Sequence, residues 1–116
     1  MNPGNSNAYN CLADVLAQKS DMISAKKCLE DGLERKRTKI GLRYYSIILR
    51  QTSTESPIER YQKAIDTAKE AVTLDLNDGQ SWYVLGNSYC FFYFQIKRDP
   101  EMIDKALKAY KRAVNL

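Results

Sequence analysis

One spacing of side chains returns three times along this chain. Trp82, Leu85, Gly86 and Tyr89 stand at i, i+3, i+4 and i+7, as do Leu42, Tyr45, Ser46 and Leu49, and Tyr9, Leu12, Ala13 and Leu16. That spacing places each set on one face of a helix. The sets begin 33 residues apart, from Tyr9 to Leu42, and then 40 apart, from Leu42 to Trp82. Each is followed by a second stripe rich in small residues: Ala25/Leu29/Gly32, Ala64/Ala68/Ala71 and Ala106/Tyr110/Ala113. A helix pair repeated at this interval cannot bury its apolar face alone and must stack on its neighbours. Small residues are expected where helices approach closely, and large ones where a gap must be filled.

Punctuation between the stripes predicts six helices in three antiparallel hairpins, an all-α fold without strand signals. Asn7 is a candidate cap for the first helix. The chain breaks at Gln18-Lys19-Ser20-Asp21, and a second stripe then runs from Met22 or Ile23 to Leu33. Thr52 to Pro57 is a loop, with Pro57 near the next first turn, where a missing N–H costs little. Asn77-Asp78-Gly79 is turn chemistry. A fifth helix is expected from Ser81 to about Ile96, and Asp99-Pro100 opens the sixth. The expected organisation is a disordered stretch at 1–6 followed by three repeats. These span 7–38, then 39–77 with an extended loop at 52–58, then 78–116 with an insertion near 93–100.

Composition narrows the function. The chain has 116 residues, net charge +4, three cysteines and no histidine. One domain fits this length, and no apolar run approaches the roughly 20 residues that span a bilayer. Without histidine, a zinc site is short of ligands and a cysteine nucleophile lacks an imidazole base. No phosphate-binding glycine loop, nucleophile elbow or carboxylate cluster is present, so neither an enzyme nor a cofactor is implied. The densest basic stretch, Arg35-Lys36-Arg37-Thr38-Lys39 with Arg43, suits either a solvated helix end or an anionic partner. No nucleic-acid fold signature accompanies it, which argues against direct nucleic-acid binding.

Trp82-Tyr83-Val84-Leu85-Gly86-Asn87-Ser88-Tyr89 satisfies the W-x-x-L-G-x-x-Y signature of the tetratricopeptide repeat, and Ala106-x-x-x-Tyr110-x-x-Ala113 resembles its second-helix half. The resemblance implies a tetratricopeptide-repeat superhelix. Twenty positions separate Gly86 from Ala106, against 12 between Ala13 and Ala25, so the third repeat carries about eight extra residues. With the long loop after Leu49-Arg50-Gln51 and Asp78-Gly79-Gln80-Ser81-Trp82-Tyr83 beyond it, the chain resembles one branch of the family from about Asn7 to Leu116. That resemblance implies a cytoplasmic and nuclear adaptor that scaffolds transcriptional co-activators under stress. It also implies recognition of the Met-Arg-Glu N-terminus of nascent tubulin at the ribosome, which leads to decay of tubulin messages. Members of that branch carry further repeats and an OB-like domain, so the chain is expected to be a fragment or a shortened relative.

Stacked repeats form a superhelix whose inner wall is lined by the first helix of each pair. The offsets that leave the core place Tyr83, Asn87 and Cys90 on that wall in the third repeat. They give Arg43, Ile47 and Arg50 in the second, and Asn10 and Asp14 in the first. Arg50 is the leading candidate: the resemblance puts the peptide-contacting arginine there, and a guanidinium grips a carboxylate with two parallel hydrogen bonds. A salt bridge to Glu55 or Glu59 is its alternative, and a helix–helix hydrogen bond is the alternative for Asn87. The clamp for acidic chaperone tails is not expected, because its positions hold Asn10, Asp14, Tyr44, Gln80 and Val84. Two other readings stay open: ribosome or RNA contact through Arg35 to Arg43, and a purely architectural spacer. Leu107, Val114 and Leu116 predict an exposed apolar edge or self-association.

Overall fold

A computed structural model describes residues 6–52 and 56–116. Residues 1–5 and 53–55, which hold most of the expected disordered stretch and part of the extended loop, lie outside the described residues. Six helices follow one another: α1 (Ser6–Gln18), α2 (Met22–Arg35), α3 (Lys39–Gln51), α4 (Pro57–Leu74), α5 (Gly79–Gln95) and α6 (Pro100–Asn115). No strand occurs among the described residues.

Local chemistry sets the boundaries. Asp21, Thr38, Ser56, Asp78 and Asp99 are N-caps whose side chains accept backbone N–H bonds from the first turns of α2 to α6. Pro57 and Pro100 occupy first-turn positions. Because Asp78 is the cap, α5 starts at Gly79, two residues before the expected Ser81. Asn7 is not a cap, since α1 already begins at Ser6. Part of the extra length in the third repeat lies in α5, which has 17 residues against 13 in α3.

Consecutive helices pair as α1–α2, α3–α4 and α5–α6, and the hairpins join through α2–α3 and α4–α5. The first helices also touch, α1 with α3 and α3 with α5, whereas α2, α4 and α6 make no such contacts with one another. First helices that approach while second helices splay give a curved stack, concave along α1, α3 and α5. Two apolar cores fill it, one around Leu29, Leu42 and Leu49, the other around Ile65, Leu85 and Tyr89. Between them Ser46 Oγ donates to the Ala64 carbonyl at 2.7 Å and lies 3.2 Å from Ser88 Oγ, with both serines buried.

Position in the stack modifies the expected core. Leu12 is 52% exposed, whereas its counterparts Tyr45 and Leu85 are 7% and 5% exposed. Its periodicity is that of a core residue, but no described helix covers the outer side of α1. Trp82 is only half-buried: it packs at the edge of the second core and donates its indole N–H to the Leu76 carbonyl at 2.8 Å. Leu107 and Val114 on α6, and Leu116 just after it, are exposed, as their spacing implied.

Gly86 shows why the repeat needs a residue without a side chain. A Cβ there would lie 2.7 Å from Cε1 and 2.8 Å from Cδ1 of Tyr110. Gly86→Ala is therefore expected to cost about 1–3 kcal/mol through overpacking, despite alanine's better helix propensity. Thermal unfolding followed by circular dichroism checks this, and an unchanged or raised Tm would contradict it.

Candidate peptide-binding groove

Arg50 sits in the last turn of α3, where a cation suits the negative end of the helix dipole. Its guanidinium stacks over the Phe91 ring, 4.6 Å from the centroid. Its Nε is buried and has no hydrogen-bond partner. The expected alternative, a salt bridge to Glu59, does not form, and Glu55 lies outside the described residues. Burial, only partly offset by Tyr61 and Tyr110, pulls the guanidinium pKa below its ordinary value. A desolvated cation of this kind gains from an anionic ligand.

A cleft of about 340 Å³ opens around it, lined by Ile47, Arg50, Gln51, Tyr61, Asn87 and Phe91. Three of the expected site residues, Ile47, Arg50 and Asn87, thus meet in one hollow. Asn87 Oδ1 accepts a 2.6 Å hydrogen bond from the Tyr110 hydroxyl, so the helix–helix bond considered for it does form. Burial first, then Cys90 and Tyr83, push the Tyr110 phenol up to about 12.

Asp14 and Ile47 also share a cleft between α1, α2 and α3, while Asn10 and Asp14 share a smaller one beside Tyr44. Asn10 is 7% exposed and its Nδ2 is buried without a partner. Arg43 and Tyr83 do not line the Arg50 cleft. Tyr83 packs near Tyr110, with ring centroids 6.1 Å apart. Arg43 Nη1 instead bonds Asp78 Oδ2 at 2.6 Å, across the start of α5.

That contact belongs to a row of ion pairs that occupies the basic stretch. Arg37 pairs with Glu70, and Lys39 Nζ lies 2.7 Å from Asp75 Oδ2 and 3.7 Å from Asp78 Oδ2. The Arg37 hydrogen bond lowers the Glu70 carboxyl, and the Lys39 hydrogen bond lowers that of Asp75. For Asp78 burial acts upward, but Ser81, Arg43 and Lys39 together outweigh it and the net shift is downward.

Phe91, Tyr61 and Gln51 were not expected at the site. Phe91 stands four residues after Asn87, on the same face of α5. It lies in the apolar run Tyr89 to Ile96, where every side of the helix looks like core. Among the described residues no group of His, Cys, Asp and Glu is arranged to hold a metal ion, and no helix is long and apolar enough to cross a membrane.

No family model matches the chain. It is 38% identical over 109 residues to tetratricopeptide repeat protein 5 of Homo sapiens, covering 91% of this chain and 25% of that protein. The Mus musculus and Bos taurus proteins of the same name match with the same identity and coverage. The chain thus spans about a quarter of the length of these relatives. Among solved structures, the second TPR of Spaghetti (RPAP3) bound to the HSP90 peptide SRMEEVD is similar, with a TM-score of 0.77 at 12% identity. That match covers 99% of this chain and 89% of the other, and it shows the fold.

Glu70, Asp75 and Asp78 have folded-state pKa values below those of the unfolded chain, so their stabilisation is present at neutral pH. It is lost as the pH falls below about 4, through the folded values. The Tm is expected to drop between pH 7 and pH 3. Asp78→Asn should lower the Tm at pH 7 and shrink that drop; an unaltered pH dependence would contradict the role of Asp78.

Proposed function

We propose that this chain, a tetratricopeptide-repeat chain by sequence and fold, is an adaptor that holds an extended segment of another polypeptide along α1, α3 and α5. Arg50 carries the reading: a partly desolvated guanidinium on an aromatic ring, facing a cleft, with its Nε unpartnered. A carboxylate of the bound peptide is its natural complement, and Asn87 offers amide donors to the peptide backbone beside it. Ile47, Asp14 and Asn10 continue the surface toward α1, with Tyr83 and Arg43 at its margin.

The HSP90 peptide SRMEEVD carried by the solved neighbour supports peptide capture by this fold. An acidic tail of that kind is a poor ligand here. Val84 is buried, and Asp14 would repel a carboxylate. The resemblance to tetratricopeptide repeat protein 5 favours the N-terminus of nascent tubulin, Met-Arg-Glu, with its glutamate on Arg50. Ribosome engagement, scaffolding of transcriptional co-activators in the stress response, and work in cytoplasm and nucleus form part of the same proposal. RNA contact through Arg35 to Arg43 is disfavoured, because Arg37, Lys39 and Arg43 are already ion-paired.

Fluorescence anisotropy with a labelled peptide beginning Met-Arg-Glu tests this. Saturable binding is expected, weakened by Arg50→Ala about ten- to a hundredfold, the value of a charge-assisted hydrogen bond of about 1.5–3 kcal/mol. Equal affinity of the two proteins would sink the proposal. Binding that ignores Arg50 yet collapses between low and physiological salt would instead favour a polyanion such as RNA.

A further inference from the structure

Two sets of cations on this chain are placed in opposite ways. Arg37, Lys39 and Arg43 are held by carboxylates. Lys69, Lys108 and Arg112 are exposed and take part in no ion pair among the described residues. This second set gathers near two aromatic rings of α5. Arg112 Cζ lies 5.9 Å from the centroid of the Trp82 ring, and Lys69 Nζ lies 5.9 Å from that of Tyr89. Lys105 Nζ comes within 5.8 Å of the Tyr89 centroid while pairing with Glu101 at 3.4 Å.

A recess of about 350 Å³ lies in the seam between α5 and α6. Its apolar floor is Trp82, Leu85, Tyr89 and Ala109, and its α6 side is Lys105, Lys108 and Arg112. Trp82 and Tyr89 stand seven residues apart, as do Lys105 and Arg112, so rings and cations each span two helical turns, about 10.5 Å. No acid lines the recess, and it shares no residue with the Arg50 cleft. At about 100° per residue, Trp82 and Tyr89 fall on the opposite side of α5 from Asn87 and Phe91.

The repeat itself does not require this row of cations. With Ala106 set against Ala64, the places of Lys105, Lys108 and Arg112 correspond to Lys63, Asp66 and Glu70 on α4. With Ala106 set against Ala25, they correspond to Ser24, Lys27 and Asp31 on α2. Both of those sets mix charges, and Glu70 is already taken by Arg37. Only α6 presents cations alone.

We propose that the α5–α6 recess docks an acidic segment of another polypeptide, on the side of the stack away from the Arg50 cleft. The segment lays one large apolar side chain, such as phenylalanine, on the floor of the recess. Carboxylates on either side of it pair with Lys108, Arg112 and Lys69. Charge complementarity selects this occupant, because the rim attracts acids and offers a basic segment nothing but repulsion. A nucleic-acid strand fits less well. Base stacking needs free ring faces, but Tyr89 is 6% exposed and Arg112 already lies over Trp82. The site stands or falls independently of the concave groove.

The test is fluorescence anisotropy with fluorescein-labelled Glu-Glu-Phe-Glu-Glu. Saturable binding is expected, about tenfold weaker when the phenylalanine is replaced by alanine, the value of burying such a side chain. Replacing the glutamates by glutamine should weaken it further. Lys108→Glu combined with Arg112→Glu changes two exposed side chains and should weaken binding about tenfold or more through like-charge repulsion. Arg50→Ala should leave this peptide's affinity unchanged. A peptide weakened by Arg50→Ala and indifferent to the α6 double substitution would lie in the concave groove, which overturns the recess. Absence of binding, or equal binding of the phenylalanine and alanine peptides, would overturn it too. So would tighter binding of a labelled uridine pentanucleotide that the α6 double substitution abolishes, since the occupant would then be a nucleic acid.

Discussion

Three helices meet where each contributes a small, fully buried residue. Ser46 of α3, Ala64 of α4 and Ser88 of α5 are fully buried there, and the Ser46 hydroxyl is satisfied by the Ala64 carbonyl and by Ser88. Close approach of this kind requires small side chains, and a buried hydroxyl is tolerated only when paired. Everything that distinguishes the concave side depends on it. With α3 drawn against α5, the end of one helix and the middle of the other share a cleft, and Arg50 meets Asn87 and Phe91. Gly86 beneath Tyr110 and Gly32 beneath Tyr9 apply the same rule inside the α5–α6 and α1–α2 hairpins.

Much of this architecture is legible in the sequence because it is local. Proline at 57 and 100, the break before Asp21 and the recurring i, i+3, i+4, i+7 sets need no knowledge of distant contacts. Other residues depend on what lies next to them in space. Leu12 carries a core residue's spacing but stands on an uncovered side of α1. Arg43 looks like a groove residue until Asp78, 35 positions on, is seen beside it. Phe91 was hidden for the opposite reason: in the run Tyr89 to Ile96 apolar residues surround the helix, so periodicity assigns no face. Asn87 was legible as a position, but its bond to Tyr110 belongs to the folded hairpin.

Charge is divided between two tasks. Around the α2–α3 connection Arg37, Lys39 and Arg43 pair with Glu70, Asp75 and Asp78 of α4 and of the α4–α5 turn, which occupies three cations of a stretch that looks like a polyanion site in sequence. Exposed pairs of this sort contribute little individually, but Arg43 and Asp78 are only 18% and 11% exposed and are screened less by salt. Arg50 differs in having an aromatic ring where the others have a carboxylate.

Asp78 caps α5 through Gln80, accepts the Ser81 hydroxyl at 2.8 Å and holds Arg43. Three duties on one carboxylate concentrate mutational fragility at a residue remote from the Arg50 cleft. The hollows, by contrast, are edged by exposed side chains such as Asp14, Tyr44 and Gln51 that anchor none of those contacts. A descendant lineage would thus have freedom to change its clientele by altering these few rim positions while inheriting the scaffold intact.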